Sequence, residues 1–191
     1  HVTRAQTWQD KIDTQACTVA VAVNNGLQYS NNIAASPELA SNDKGHQLLP
    51  MTGAQNMAQA WQHAVAHAEH NWIVLVHQDV YLPAGWLEQV QYAWAEAEEK
   101  LAKPVAVLGV AGIRQVDTDH VSYLGSCIDR IKTYAPPAPL PERCDSLDEL
   151  VLVFRKDRLL PPMSPELGFH FYGTDVVLHA QAAGFEAVVA E

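Results

Sequence analysis

Hydrophobic residues recur along the chain in two rhythms. Short apolar, largely β-branched runs at 17–23, 72–76, 105–110, 150–154 and 185–190 have the length of buried strands. Between them Met57, Trp61, Ala64, Val65 and Ala68 recur at helical spacing, as do Trp86, Leu87, Val90, Trp94, Ala97 and Leu101. The first stripe predicts a helix over about 53–70, opened by a capping box at Thr52-Gly-Ala-Gln55. The second starts after Pro83-Ala-Gly85 and is broken by Pro104. A third helix is expected from the Gly168–Asp175 segment through Ala183, ended by Gly184. From Leu27 to Leu49 the pattern is weak, with a short helix before Ser36-Pro37 and a polar loop over 41–45. Ser146-Leu-Asp-Glu149 has the form of another capping box, but the β-branched run after it reads as a strand.

Strands alternating with helices predict an α/β fold, a mixed and mostly parallel sheet flanked by helices, in one domain over 1–191. The start at His1 reads as a trimmed end, and the strand at 185–190 stops without a following turn, so more chain is expected beyond Glu191. Hydrophobic residues make up 48% of the chain, enough for one sizeable core. The net charge of −10 repels phosphate backbones and anionic membrane surfaces, which argues against broad nucleic-acid binding. No apolar stretch approaches the roughly 20 residues that span a bilayer. Three cysteines, Cys17, Cys127 and Cys144, make no CxxC pair and no even framework, so a reducing cytoplasm is the expected compartment.

Candidate chemistry gathers at strand and helix ends. His77-Gln78-Asp79 follows a buried strand, where an imidazole and a carboxylate can share a divalent cation or simply cap a turn. Asp175 is expected near a helix start, either as a cap or as a general base. Phe169-His170-Phe171-Tyr172 suits a pocket wall that stacks on a sugar or base, or ordinary core packing. His63, His67 and His70 share a helical face, but one opposite the apolar stripe, so solvated histidines are expected rather than a zinc site. Cys144, Cys127 and Ser126 carry nucleophiles without a His/Asp pattern or a GxSxG elbow. Pro136-Pro-Ala-Pro-Leu-Pro141 reads as an extended surface loop.

Taken in order, Ala54-Gln-Asn56, the helix after it, the strand at 72–76, His77-Gln78-Asp79-Val80 and Pro83-Ala-Gly-Trp-Leu87 resemble the core of family 2 glycosyltransferases of the GT-A fold. Ser36-Pro37 upstream and Phe169-His-Phe-Tyr-Gly-Thr-Asp175 downstream are similar to the subgroup named after a streptomycin-biosynthesis protein, in an HQDV form. The match covers most of residues 17–190. It implies a bacterial, cytoplasmic enzyme that binds a nucleotide-diphosphate sugar and transfers the sugar with inversion to a hydroxyl acceptor, whether glycan, lipid-linked or small molecule. It implies donor contacts at Asn24, Asn56, His77, Gln78, His170 and Tyr172, and Mn²⁺ or Mg²⁺ held by Asp79 with His77 in place of a first aspartate. The family's usual catalytic aspartate is replaced here by Gly173, which leaves Asp175 or Asp148 as the base. The alternative is a non-catalytic nucleotide-sugar-binding or scaffold module that has lost its base, in which case an aspartate at 173 is expected to restore activity.

Overall fold

The computed structural model describes residues 8–40, 43–125, 127–129, 132–134 and 139–190, with backbone only at 127–129 and 132–134. Ser126, the Cys127 side chain, Pro136, Pro137 and Glu191 therefore lie outside the described residues.

The first apolar run forms β1 (Cys17–Val23), followed by the short helices α1 (Gly26–Asn31) and α2 (Pro37–Ala40) and by β2 (Gln47–Thr52). Then come α3 (Met57–His67), β3 (Trp72–His77), α4 (Trp86–Leu101) and β4 (Val105–Gly109). An excursion of short strands follows: β5 (Ala111–Gln115), β6 (Val121–Gly125), β7 (Cys127–Asp129), β8 (Lys132–Tyr134), β9 (Glu142–Arg143) and β10 (Ser146–Leu147). The chain returns through β11 (Val151–Arg155), α5 (Tyr172–Ala182) and β12 (Glu186–Val189).

The main sheet has seven strands in the order β2-β1-β3-β11-β4-β12-β9. β2, β1 and β3 run parallel, as do β4 and β12. β11 is inserted antiparallel between β3 and β4, and β9 pairs antiparallel with β12. The fold is thus α/β with a mostly parallel sheet, as its alternating pattern predicts. Period-two alternation sorts the strand residues: Ile73 and Leu75 pack with Met57, Trp61 and Ala64 of α3 and Val176 and Ala180 of α5. Trp72, Val74 and Val76 pack on the other face with Leu87, Val90 and Trp94 of α4. The sheet is therefore covered on both sides, which its near-continuous apolar strands require.

Several boundaries differ from the pattern. The cap of α3 is Asn56, whose side chain accepts from Gln59 N–H, so the helix begins at Met57 rather than near Gly53. It ends at His67, which leaves His70 beyond the helix, with Nε2 against Gly45 O at 3.0 Å. The shared helical face of three histidines does not exist, and among the described residues no group of three His, Cys, Asp or Glu side chains is placed to hold a metal. β2 lies in the segment whose pattern was weak. It is an edge strand paired on one side, half-exposed and interrupted by Pro50, which an edge tolerates and a central strand does not. Ser146–Glu149 opens no helix: Ser146 and Leu147 pair with Ile113 and Gly112 in a three-stranded sheet. Gly112 makes that contact possible, since a Cβ there would stand 2.4 Å from Ser146 O.

Candidate functional site

In an open α/β sheet a ligand crevice forms where successive strands depart in opposite directions from a shared neighbour. Here β2 lies on one side of β1 and β3 on the other, and the crevice opens beyond the carboxyl ends of β1 and β3. It holds a cleft of about 710 Å³ lined by Asn24, Thr52, His77, Gln78, Asp79 and His170 together with apolar Val23, Met51, Met57 and Phe169. That is the size of a small-molecule or cofactor site.

Hydrogen bonds fix Gln78, His77 and the loop that carries Asp79. Gln78 joins the loops after β1 and β3: its Oε1 accepts from Asn24 N–H at 3.1 Å and Asn25 N–H at 3.0 Å, and its Nε2 donates to Asn24 Oδ1 at 2.6 Å. A longer contact of 3.4 Å to Gln28 Oε1 completes the amide's bonding capacity, so Gln78 shapes the crevice and has no donor to spare. Leu82 N–H donates to Ser36 Oγ at 2.9 Å, and Leu87 N–H donates to the buried Glu38 carboxylate at 2.9 Å, with Gly85 N–H bound to the same group. Glu38 thereby caps α4, whose own N-cap Gly85 has no side chain to do so, and the loop bearing Asp79 is fixed at its far end.

His77 Nε2 lies 2.9 Å from the Tyr172 hydroxyl, which itself donates to Glu149 O at 3.0 Å. A phenol has one proton, and it is spent on Glu149 O, so Nε2 must carry the proton at the His77 end. A neutral His77 then keeps its lone pair on Nδ1. Tyr172 is buried, and burial together with the Glu149 and Asp148 carboxylates pushes its hydroxyl pKa well up, which keeps it a phenol.

The remaining expected residues separate. Asn24, His77, Gln78, Asp79 and His170 come together in the cleft lining. Asn56 is spent as the α3 cap and Tyr172 supports His77 from behind; neither is in that lining. Asp175 lies in the first turn of α5, where its carboxylate accepts from Ser164 N–H at 2.8 Å and Ser164 Oγ–H at 3.0 Å. Asp148 is exposed and accepts from Leu150 N–H at 2.9 Å, closing its own turn. Cys144 is buried and its thiol pKa is raised by desolvation and the Asp145 charge, the condition of an inert side chain.

Gly173 has a packing role. A Cβ there would stand 2.2 Å from Leu147 O and 3.1 Å from Glu149 Cγ, so α5 can approach the β10 turn only because the residue is glycine. An aspartate at 173 would collide with backbone, so this joint must shift before the substitution can be accommodated. Glu149 is the acidic residue that sequence reading passed over. Its Oε1 accepts from Gly173 N–H at 3.3 Å, and burial raises its pKa against the lowering effects of that bond and of His77 and His170. Only the antiparallel direction of β11 brings it here, and the residue pattern does not state strand direction.

No family model and no curated protein matches the chain. Among solved structures it is similar to the crystal structure of A197 from STIV, with a TM-score of 0.48 and 11% identity over 92% of this chain and 82% of that one. Likeness at that distance leaves the chemistry to be read from the cleft itself. Among the described residues no helix is long and apolar enough to cross a membrane.

Proposed function

We propose that the cleft binds a nucleotide-diphosphate sugar together with Mn²⁺ or Mg²⁺, and that the protein is a glycosyltransferase-like domain of the GT-A type transferring the sugar with inversion to a hydroxyl acceptor. The observation that carries this reading is the lining itself: a strand-end crevice with amide, imidazole and carboxylate groups and no Lys or Arg. Among the described residues the lining offers a diphosphate beside Asp79 no Lys or Arg, and a divalent ion arriving with it would balance its charge. Asp79 and His77 Nδ1 suit such an ion as two protein ligands, with phosphate oxygens and water completing a shell of the kind hard cations keep on substrate phosphates. When bound, the ion would supply charge neutralisation of the leaving diphosphate.

Within the chain, the amide of Asn24 presents Nδ2 as a donor while its Oδ1 is held by Gln78. Phe169 and His170 offer an aromatic wall on which a base or a pyranose can stack. A sheet whose parallel strands are split by one antiparallel strand agrees with the GT-A reading. The contact with Leu147 O gives Gly173 a packing reason; a non-catalytic nucleotide-sugar-binding or scaffold module of the same fold is the second reading, and turnover of a bound donor separates the two.

Thermal unfolding tests the reading. Millimolar UDP, GDP or dTDP is expected to raise the melting temperature only when Mn²⁺ is present, with one nucleotide preferred, because ligands that bind the folded chain stabilise it by mass action. Equal or absent shifts with all three nucleotides, with and without metal, would refute it.

A further inference from the structure

A second cavity, of about 690 Å³, lies outside the cleft and shares no lining residue with it. It is a groove between the end of β5, the β9–β10 connection and α5, where Arg114 and Val116 meet Arg143 and Asp145 and the helix adds Leu178 and Gln181. Its charge is the reverse of the cleft's. Two guanidiniums stand against one carboxylate in a chain whose net charge is −10, whereas the cleft has Asp79 and no Lys or Arg.

Strand pairing assembles the groove from distant parts of the chain. β9 pairs with β12 at the edge of the main sheet, and Asp145 N–H donates to Ile113 O at 2.8 Å, which draws β5 alongside. Asp145 Oδ2 accepts from Gln115 N–H at 2.8 Å, and its Oδ1 lies 3.6 Å from Arg143 Nη2. Glu142 Oε1 lies 3.3 Å from Arg114 Nη1. Each guanidinium is thus steered by a carboxylate through one long ion contact and, among the described residues, donates no hydrogen bond. Arg155 and Arg158 are spent differently: Arg155 Nε donates to Asp157 Oδ1 at 3.0 Å, and Arg158 Nη1 donates to Val105 O at 3.0 Å. A guanidinium carries five N–H donors in a rigid fork that matches carboxylate and phosphate oxygens, so Arg114 and Arg143 line the groove with donors unspent. Val116 and Leu178, 59% and 56% exposed, place apolar surface beside these charges.

We propose that this groove is a second binding site, for a small organic anion that offers phosphate or carboxylate oxygens to Arg114 and Arg143 and lays a short apolar portion on Val116 and Leu178. The two guanidiniums supply the balancing charge, so the anion binds without a metal. Because the groove shares no residue with the cleft, this site stands or falls apart from the nucleotide-sugar reading.

The experiment follows the arginine Nε–H resonances of the whole protein by nitrogen NMR, in EDTA and low salt, during titration with millimolar inorganic phosphate, butyl phosphate and hexanoate. The Arg114 and Arg143 resonances are expected to shift on one saturable curve while those of Arg155 and Arg158 stay still, with butyl phosphate binding more tightly than inorganic phosphate. Saturation by butyl phosphate alone assigns a phosphate ligand, and saturation by hexanoate alone assigns a carboxylate. Arg143→Gln, at an exposed position, is expected to keep its melting temperature and weaken the affinity about 10-fold or more. Shifts of equal size at Arg155 and Arg158, or shifts reproduced by chloride at matched ionic strength, would reduce the effect to screening and overturn the proposal. The absence of a saturable shift with all three anions overturns it too, as does full affinity in both Arg114→Gln and Arg143→Gln. Equal affinity for the two phosphates overturns the apolar contact. Should a variant fail to fold, the titration of the starting protein still decides the question.

Discussion

The loop after β3 and the start of α5 each carry an aspartate within a few residues of a histidine, and the fold uses them in opposite ways. Asp79 is exposed in the cleft lining, and no described residue donates to it or pairs with it. Asp175 has a side chain only 13% exposed, with both oxygens occupied by Ser164 and His179 Nε2 at 3.9 Å. The difference lies in the donors around each group. A carboxylate already satisfied by backbone and hydroxyl is a fastener, whereas one left to solvent at a strand end can take a cation or a ligand. The start of α5 is a packed joint between helix, β10 turn and the segment at 163–164, and the β3 loop is a clasped but open rim.

That contrast can be broken most forcefully at Gly173. Gly173→Asp should cost about 3 kcal/mol or more in urea denaturation, because the new Cβ must displace the Leu147 carbonyl rather than a flexible side chain. Unchanged stability would mean that the joint is not tight. Asp175→Ala should cost about 2 kcal/mol by removing two charge-assisted hydrogen bonds to Ser164, with nucleotide affinity per folded molecule unaltered. A drop in affinity at full folding would move Asp175 back to the binding side. Tyr172→Phe should cost about 1 kcal/mol and release His77 Nε2, so nitrogen NMR of the imidazole should show a shift away from the Nε2–H tautomer.

The smallest effect concerns acid. Burial holds the Glu149 carboxyl above its ordinary 4.5, so between that value and its raised folded value the native chain binds a proton that the unfolded chain has released. This contribution to stability is complete below the ordinary value and is lost as pH rises through the folded one. Stability measured from pH 4 to 7 should therefore fall less steeply in Glu149→Gln than in the starting protein. An identical slope would show that Glu149 is not desolvated.

The parts of this arrangement that local pattern dictates are legible in the sequence. β1 is an unbroken apolar run closed by Asn24-Asn25-Gly26, and α4 is a clean amphipathic stripe. His77-Gln78-Asp79 stands out because polar residues follow five buried ones. What escapes the pattern depends on partners distant in sequence. Pro50 disguises β2 because only an edge strand accommodates it, and Asn56 displaces Thr52 as cap because Gly168 O takes Met57 N–H and sets where α3 begins. The place of Glu149 beside Gly173 is read only once β11 is known to run against β3. Gly173 looks like a missing aspartate until the Leu147 carbonyl is seen against it.

The central claim is that the β1–β3 crevice holds a nucleoside diphosphate through a cation at Asp79. Calorimetric titration of UDP, GDP and dTDP into the metal-stripped protein, with and without Mn²⁺ and repeated on Asp79→Ala, tests it most directly. The account predicts that one nucleotide binds with Mn²⁺ only, and that this binding vanishes in Asp79→Ala while stability changes by no more than about 0.5 kcal/mol. Nucleotide binding of equal strength in Asp79→Ala, or no binding of any of the three to the starting protein, would contradict it.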